Sequence, residues 1–207
     1  MAKWGLLGCV GALILALIIA GAWFIGVRNH FVTLEEAVNQ QWAQVESQYQ
    51  RRYDLVPNLV RTVQGAAAFE KSTLEAVVQA RSRVGQVAAP GAAITTDPNA
   101  MAQFEAAQGA LSSALSRLLV VVERYPELKA NQNFLELQSQ LEGTENRIAV
   151  ERMRFNEAAQ QYNTAIRKFP ASIVANFSGF KPRAYFKGTA GSERAPEVQF
   201  NFGTATQ

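Results

Sequence analysis

The stretch Phe134–Phe169, FLELQSQLEGTENRIAVERMRFNEAAQQYNTAIRKF, decides the fold. Its large residues lie seven apart, at Phe134, Leu141, Ile148, Phe155, Tyr162 and Phe169. That repeat places them along one face of a helix that Pro170 ends. The alternate seam positions are mixed and include Gln138, Glu145 and Arg152. A two-stranded coiled coil requires apolar residues at both seam positions, so the pattern favours an intramolecular bundle in which Glu145 and Arg152 meet charged partners on a neighbouring helix.

Three more helices are predicted before this stretch. From Val38 to Val63 and from Met101 to Tyr125, buried-type residues recur at steps of three and four, interrupted by Arg52 and Gln108. Pro57 lies inside the first run and predicts a kink or a break. Residues 67–87 form another helical stretch. The sequence therefore predicts an all-α protein, with one transmembrane helix followed by an antiparallel bundle of three to four long helices.

The helix boundaries follow from local signals. Thr33-Leu34-Glu35-Glu36 has the form of a capping box and predicts a helix start. Residues 88–96 are small and contain Pro90-Gly91, which predicts a loop. Asp97-Pro98 supplies an N-cap acceptor and a proline suited to the first turn, so a helix is expected to begin there and to end at Pro126.

The segment Trp4–Val27 carries no charge. As a helix it would be about 36 Å long, enough to cross a hydrocarbon layer of about 30 Å. Two alternatives are a signal peptide cleaved at Ala20-Gly21-Ala22 and a lipoprotein box at Leu6–Cys9. The first conflicts with the length of the run, and the second with its position after the cysteine. We expect an uncleaved single-pass anchor.

Small residues recur at every fourth position of the anchor. They form a stripe that lets two membrane helices approach closely, and this favours self-association. The residues are Gly8, Ala12, Ala16 and Ala20. Lys3 precedes the run and Arg28 follows it, and the positive-inside bias slightly favours a main domain on the periplasmic side of the bacterial inner membrane.

After Pro170 the composition changes to aromatic residues, glycine and proline. Residues 197–202 alternate polar and apolar side chains, as a strand does, and Arg183–Lys187 is a possible hairpin partner. Such a hairpin either packs on the bundle or pairs with another chain by strand addition. The candidates for an intersubunit strand are Tyr185, Phe186, Val198, Phe200 and Phe202. The predicted domains are an anchor (1–30), a helical bundle (31–170) and a C-terminal segment (171–207).

Composition excludes several classes of site. The chain of 207 residues has one Cys, one His and two Asp, so paired-thiol motifs, His-based triads and aspartate dyads are unavailable. The net charge of +3 comes from 20 basic and 17 acidic residues that are interspersed. This is not the basic face of a nucleic-acid-binding protein. We expect no catalytic residues, no metal and no cofactor.

Two polar clusters remain as candidates for interaction or for fixing helix register. Asp54 is expected to accept from Arg51 or from an arginine such as Arg147, and Glu142 and Glu145 share a helix face. A structural role is preferred for both. The functional alternative is partner docking for the first cluster and a recognition or metal site for the second. The residues are Arg51, Arg52, Asp54, Asn58, Glu142, Glu145, Asn146 and Arg147.

Two blocks of the sequence resemble the LemA family of bacterial membrane proteins. The first contains Leu34-Glu35-Glu36, Val38-Asn39, Trp42, Val45-Glu46, Gln48–Arg52 and Asp54–Val60; the second contains Asn131, Phe134, Leu137, Leu141–Ile148 and Tyr162-Asn163. The resemblance covers nearly the whole chain. It implies one membrane helix, an antiparallel helical bundle and no assigned catalytic activity.

The family context also implies a role in membrane organisation or stress, because one relative acts in forming the magnetosome membrane and family genes often lie near a membrane zinc metalloprotease. We therefore expect a non-enzymatic scaffold that contacts membrane lipid, forms a homo-oligomer and organises or shapes the inner membrane. The alternative is an adaptor or regulator that binds a membrane protease or another membrane complex.

Overall fold

The computed structural model describes residues 2–65, 70–87 and 91–188, with side chains from Val10 onward. Six α-helices and one 3-10 helix account for nearly all of this part of the chain, which contains no strand. They are α1 (Ala2–Gln64), α2 (Lys71–Gln86), a 3-10 helix (Gly91–Thr96), α3 (Pro98–Val122), α4 (Pro126–Lys129), α5 (Gln132–Arg167) and α6 (Ala171–Ser178). The predicted all-α class is confirmed.

Helix α1 contains both the uncharged run and the first buried stripe of the body. Its apolar N-terminal part has a mean hydropathy of 2.5 over 18 residues, and none of that window is buried in the molecule. A core helix of this composition would be covered by protein, so the exposed window fits a membrane anchor. We call the remainder of the described chain, residues 31–188, the helical body.

The predicted helix start at Thr33 is wrong. The anchor is already helical and nothing between Val27 and Thr33 breaks a helix, so α1 continues through this position. The Thr33 hydroxyl donates to the Asn29 carbonyl at 3.1 Å, one turn back in the same helix, and does not cap a terminus. Residues 30 and 31, at the predicted domain boundary, therefore lie in one uninterrupted helix.

A kink or a break is predicted at Pro57, and of these the break is wrong, because α1 continues to Gln64. Proline has no N–H, so the Tyr53 carbonyl four residues earlier loses its helical donor. Arg81 of α2 supplies a replacement: its Nε donates to the Tyr53 oxygen at 3.3 Å, and its guanidinium lies 3.9 Å from the Tyr53 ring centroid. Beyond the proline, burial of Leu59 and Val63 holds the last turns of α1 in place.

The predicted buried faces are confirmed. Trp42 of α1 contacts Phe104 of α3 and Phe155 of α5. Further along α1, Arg52 binds residues later in α3 and earlier in α5. Helices α1 and α3 thus run in one direction and α5 in the other. Helix α2 also opposes α3, since Glu70 beside its start binds Arg124 beyond the end of α3.

The start of α3 and the end of α5 agree with the prediction, whereas the end of α3 and the position of Phe169 do not. Asp97 caps α3 by accepting from the Asn99 N–H at 2.8 Å, and α5 ends at Arg167 before Pro170. Helix α3 ends at Val122, and Pro126 begins a short helix of its own. Phe169 lies outside α5 and is 83% exposed, so the seven-residue repeat stops contributing to the core at Tyr162.

The replacement of the missing Pro57 donor by Arg81 can be measured with a double-mutant cycle. Arg81→Ala in the natural chain leaves the Tyr53 carbonyl without a protein donor and should lower the free energy of unfolding by about 1–2 kcal/mol. In a Pro57→Ala background, the residue 57 N–H can bond Tyr53, so the cost of Arg81→Ala should fall by about 1 kcal/mol. Urea unfolding of the full chain in detergent gives these values. Equal costs in both backgrounds would contradict the replacement.

Candidate functional site

Two apolar clusters fill the helical body, one nearer the membrane run and one farther away. The proximal cluster contains Phe31–Tyr49 of α1 and Ile148–Ile166 of α5 among its buried positions. The distal cluster contains Val56–Val63 of α1, Leu111–Val122 of α3 and residues of α2 and α5. Arg52 lies on the α1 stripe between them and is only 1% exposed.

The Arg52 guanidinium binds two other helices. One terminal nitrogen donates to the Ser112 hydroxyl of α3 at 2.7 Å and to Glu145 Oε1 of α5 at 2.6 Å. The other donates to the backbone carbonyl of Gln108 at 3.4 Å and to its side-chain oxygen. The guanidinium also lies 5.1 Å from the Tyr49 ring centroid. We call Arg52, Gln108, Ser112 and Glu145 the polar layer.

The polar layer connects α1, α3 and α5 through one buried guanidinium. A buried guanidinium must recover the free energy of its lost hydration from well-placed acceptors, and its planar fork accepts few geometries. Sliding α5 by one turn would place Leu141 or Ala149 at the position of Glu145 and would remove the carboxylate partner of Arg52. That Arg52 and Glu145 fix helix register stays a prediction.

The structure brings together two of the eight predicted polar residues, Arg52 and Glu145. The expected pairing of Asp54 with an arginine is wrong: Asp54 accepts from Gln50, one turn earlier in α1, at 2.9 Å. Glu142 likewise accepts from Gln138 within α5, and Asn58 from Arg61 within α1. All but Arg52 and Glu145 lie on exposed faces: Arg51, Asp54, Asn58, Glu142, Asn146 and Arg147.

A second buried arginine attaches the segment after α6 to the body. Arg183 is 7% exposed and donates to Thr95 of the 3-10 helix and to Glu35 of α1, both at 2.7 Å. Its own backbone N–H and carbonyl bond the Asn163 side chain of α5 at 2.8 and 2.9 Å. We call residues 181–188 the strap.

The strand predicted over Arg183–Lys187 is not present. The Phe186 N–H and carbonyl bond the Asn156 side chain at 2.9 and 3.0 Å, so these backbone groups are satisfied without a partner strand. The Phe186 ring is buried and stacks on Trp42 at 5.9 Å. Tyr185, next to it, is exposed. Val198, Phe200 and Phe202, the other half of the predicted hairpin, lie outside the described residues.

The predicted charged partner of Arg152 is Glu105 of α3, at 2.9 Å. Arg152 also donates to the Lys187 carbonyl at 3.0 Å and lies 4.6 Å from the Phe186 ring centroid. Glu105 in turn accepts from the Lys187 N–H at 3.0 Å. This pair therefore joins α3, α5 and the end of the strap.

An aromatic cleft of about 240 Å³ lies beside the polar layer, between α1, α2 and α3. Its lining includes Trp42, Tyr49, Tyr53, Phe104 and Gln108, with the exposed carboxylate of Glu46 at one wall. The buried indole Nε1 of Trp42 has no hydrogen-bond acceptor among the described residues. Aromatic faces beside a carboxylate suit a cationic or hydrogen-bonding side chain of a partner.

Gly85 permits the close approach of α2 to this cleft. A Cβ added at Gly85 would lie 3.2 Å from the Tyr53 hydroxyl, tighter than an ordinary contact. A larger side chain there would therefore crowd the cleft. The sequence offered no sign of this glycine's role, whereas Gln108 was visible as the one polar residue in the α3 stripe.

Sequence comparison agrees with this architecture. The profile of the LemA family matches residues 41–200. The chain belongs to the LemA family. It is 32% identical over 173 residues to magnetosome protein MamQ of Magnetospirillum gryphiswaldense, covering 76% of this chain and 64% of that protein. It is 30% identical over 174 residues to MamQ 2 of Paramagnetospirillum magneticum, covering 77% and 64%.

A third LemA-family relative is protein LemA of Metamycoplasma hominis, 22% identical over 152 residues, covering 73% of this chain and 65% of that protein. The chain thus matches about two thirds of the length of each of these relatives. The region matched by the family model, residues 41–200, contains the polar layer and most of the helical body.

Removing the buried arginine of this LemA-family chain should be costly. Arg52→Ala loses bonds to two helices and leaves Gln108 and Glu145 without their donor, so the free energy of unfolding should fall by about 3–5 kcal/mol. Glu145→Gln keeps an acceptor and is half exposed, so about 1 kcal/mol is expected. Arg51→Ala, next to Arg52 but exposed, is the control and should change stability by less than about 0.5 kcal/mol. A similar loss for both arginines in urea unfolding would refute the polar layer.

Alkaline pH should destabilise the protein through Tyr49. Burial raises the pKa of its hydroxyl above the ordinary value of 10.0, although Arg152 and Arg52 oppose the shift. The unfolded chain then loses the tyrosine proton at a lower pH than the folded chain. Stability from this group is complete below about pH 10 and falls above it, by at most about 1.4 kcal/mol per pH unit until the folded pKa is reached.

Tyr49→Phe isolates this effect from other groups that titrate in the same range. The variant should show a shallower loss of unfolding free energy between neutral pH and pH 11 than the natural chain. Chemical denaturation at a series of pH values measures both slopes. Parallel curves would show that Tyr49 ionises equally in the folded and unfolded states.

Proposed function

We propose that the protein is a non-enzymatic, membrane-anchored scaffold that self-associates and organises or shapes the bacterial inner membrane. The observation that carries the proposal is the continuity of α1. One helix contains the exposed apolar segment and the buried stripe of the body, with no break between them. Pairing of two membrane segments would therefore also fix how two helical bodies face each other.

The small-residue stripe of α1 supports pairing within the membrane. Ala12, Ala16 and Ala20 are exposed and, with Gly8, lie four residues apart along α1. Small side chains on one face allow two helix backbones to come close enough for extensive van der Waals contact. The opposite side of the segment presents larger residues such as Ile14 and Ile18, which suit lipid.

The C-terminal residues are a second element of the proposal. Because the backbone groups of the strap bond Asn156 and Asn163, an intersubunit strand is proposed only for residues after Gly188, among them Val198, Phe200 and Phe202.

The magnetosome names of two relatives are in line with a role at a membrane. We place the protein in the inner membrane with its body on the periplasmic side.

The aromatic cleft favours a second function, that of an adaptor for a membrane protease or another membrane complex. The cleft is open, lies next to the Arg51–Asn58 face and is lined by aromatic residues beside Glu46. A partner that inserts a basic side chain between Tyr49 and Tyr53 would contact their aromatic faces and the carboxylate of Glu46. In this function the protein would be a monomer or small dimer in a stoichiometric complex.

The mass of the full chain in detergent, measured by mass photometry, distinguishes the two functions. The scaffold predicts a large particle of defined size. Ala12→Leu with Ala16→Leu should weaken its assembly about tenfold, because the larger side chains separate the helix backbones. Ala22→Leu adds the same bulk on a different face of α1 and is the control. Removal of residues 189–207, which spares the strap, tests the C-terminal contribution.

A monomer or dimer that is insensitive to these changes would refute the scaffold. The adaptor then predicts one co-purifying protein in fixed ratio, which Gly85→Leu releases by filling the cleft. Gly109→Leu is the matched control, because a Cβ at Gly109 meets nothing within 4 Å. Retention of that protein by Gly85→Leu would exclude the cleft as its binding site.

A further inference from the structure

Helix α6 was not predicted from the sequence, and it exposes an unusual amount of apolar surface. Phe177 is 84% exposed and Ile173 is 60% exposed, four residues apart on one face of the helix. Phe169, just before the helix, is 83% exposed. The opposite face, with Val174 and Ala175, is buried against the body. A helix that is buried on one side and apolar on the other requires a second apolar environment.

The position of α6 identifies that environment. The Phe177 ring lies 5.8 Å from the ring of Phe24, which belongs to the last turn of the uncharged run in α1. If the run Trp4–Val27 crosses the bilayer, Phe24 lies near the boundary between hydrocarbon and headgroups. Phe177 then lies at the same depth, with its free face directed away from the protein.

The end of α6 holds it against α1 at this level. Gly179 adopts a left-handed conformation with a φ of 76°, and the Phe180 N–H returns to the Ala175 carbonyl at 3.0 Å. This turn directs Phe180 back onto Phe31 of α1, with ring centroids 5.4 Å apart. Aromatic contacts with α1 at Phe24 and Phe31 therefore fix α6 along the end of the membrane segment.

Exposed basic residues flank α6 in the chain and lie at the same end of the body. Lys168 precedes it, Lys181 follows it, and Arg28 and Arg167 are exposed close to the same end of the body. None of these four has an ion pair among the described residues. The acidic residues nearest along α1 are Glu35, which binds Arg183, and Glu36. Free positive charge beside an apolar face matches the anionic headgroup layer of a membrane.

We propose that α6 is a second membrane contact: Phe169, Ile173 and Phe177 enter the acyl boundary of the bilayer that α1 spans, and Lys168 and Lys181 bind anionic phospholipid headgroups. This inference rests on the membrane anchor of the proposed function. It does not depend on self-association. The contact would hold the body against the bilayer surface at a second point, several ångströms from the axis of α1.

Spin labels on the full chain test this contact. In a Cys9→Ala background, a nitroxide at Phe177→Cys reports collisions with oxygen, which concentrates in lipid, and with a water-soluble nickel chelate. The protein is reconstituted in vesicles of phosphatidylcholine and phosphatidylglycerol in equal parts. We expect a higher ratio of oxygen to nickel collisions than at Val120→Cys, a control site on α3 that is also apolar and is 70% exposed.

A third label, at Leu15→Cys in the uncharged run, separates the two proposals. A high ratio of oxygen to nickel collisions at Leu15→Cys with a low ratio at Phe177→Cys would support the membrane anchor and overturn the α6 contact. A low ratio at Leu15→Cys as well would refute the proposal that α1 is a membrane anchor. Low collision rates with both reagents at Phe177→Cys would show that protein covers it. Spin–spin broadening that disappears on dilution with unlabelled protein would identify a second copy as the occupant.

The headgroup part of the inference has its own readout. The collision ratio at Phe177→Cys should be lower in vesicles of phosphatidylcholine alone, because the attraction to anionic lipid is absent. Lys168→Gln with Lys181→Gln should reduce the difference between the two lipid compositions, because Arg28 and Arg167 then supply the only remaining free positive charge named at this end of the body. Lys129→Gln with Lys71→Gln, two exposed lysines elsewhere on the body, is the matched control. If the variant with Lys168→Gln and Lys181→Gln still shows the full difference between the two lipid compositions, these lysines do not bind headgroups.

Discussion

The burial of one positive charge constrains the whole helical body. Arg52 can be buried only where Gln108, Ser112 and Glu145 meet it together, and these residues come from α3 and α5. Apolar packing alone would tolerate a shift of one helix along another, because the buried stripes repeat every turn. The guanidinium opposes such a shift, and the two apolar clusters lie on either side of it. The lost hydration of Arg52 opposes folding, and the acceptors that offset it are available in this alignment of the helices.

The strap shows a second way in which side chains fix backbone. Asn156 and Asn163 lie seven residues apart on α5, and each offers a donor and an acceptor to one residue of the strap. An extended chain normally obtains such paired bonds from a neighbouring strand. Here helix side chains supply them, so the backbone groups of Arg183 and Phe186 are paired without a neighbouring strand.

Periodicity predicted the buried faces correctly, because spacing along a helix is a local property. The stripes of α1, α3 and α5 and the cap at Asp97 needed no tertiary information. The partners of Arg52 were harder to predict from the sequence. Glu145 and Gln108 were recognisable as polar residues in apolar stripes, but the sequence did not show that both bind the same arginine. The strand at Arg183–Lys187 was predicted only as a hairpin partner for residues 197–202, and the structure has there a strap that buries Phe186 and Arg183.

Local rules also failed where tertiary contacts override them. Thr33 and Glu36 match a capping box, but capping requires a helix that begins there, and the anchor had already begun one. Pro57 ends many helices, but Arg81 replaces the lost donor and the distal cluster holds the next turns. Neither outcome can be derived from a window of ten residues.

The uninterrupted course of α1 couples distance from the bilayer to angular orientation. Each residue of an α-helix advances about 1.5 Å along the axis and about 100° around it. Between Arg28 and Phe31, a single inserted or deleted residue would therefore rotate the entire body by about a quarter turn relative to the lipid-facing and small-residue sides of the anchor. It would also move α6 away from Phe24. The number of residues in this short junction therefore determines how the body is rotated relative to the anchor. An insertion or deletion there changes the geometry more than a substitution does.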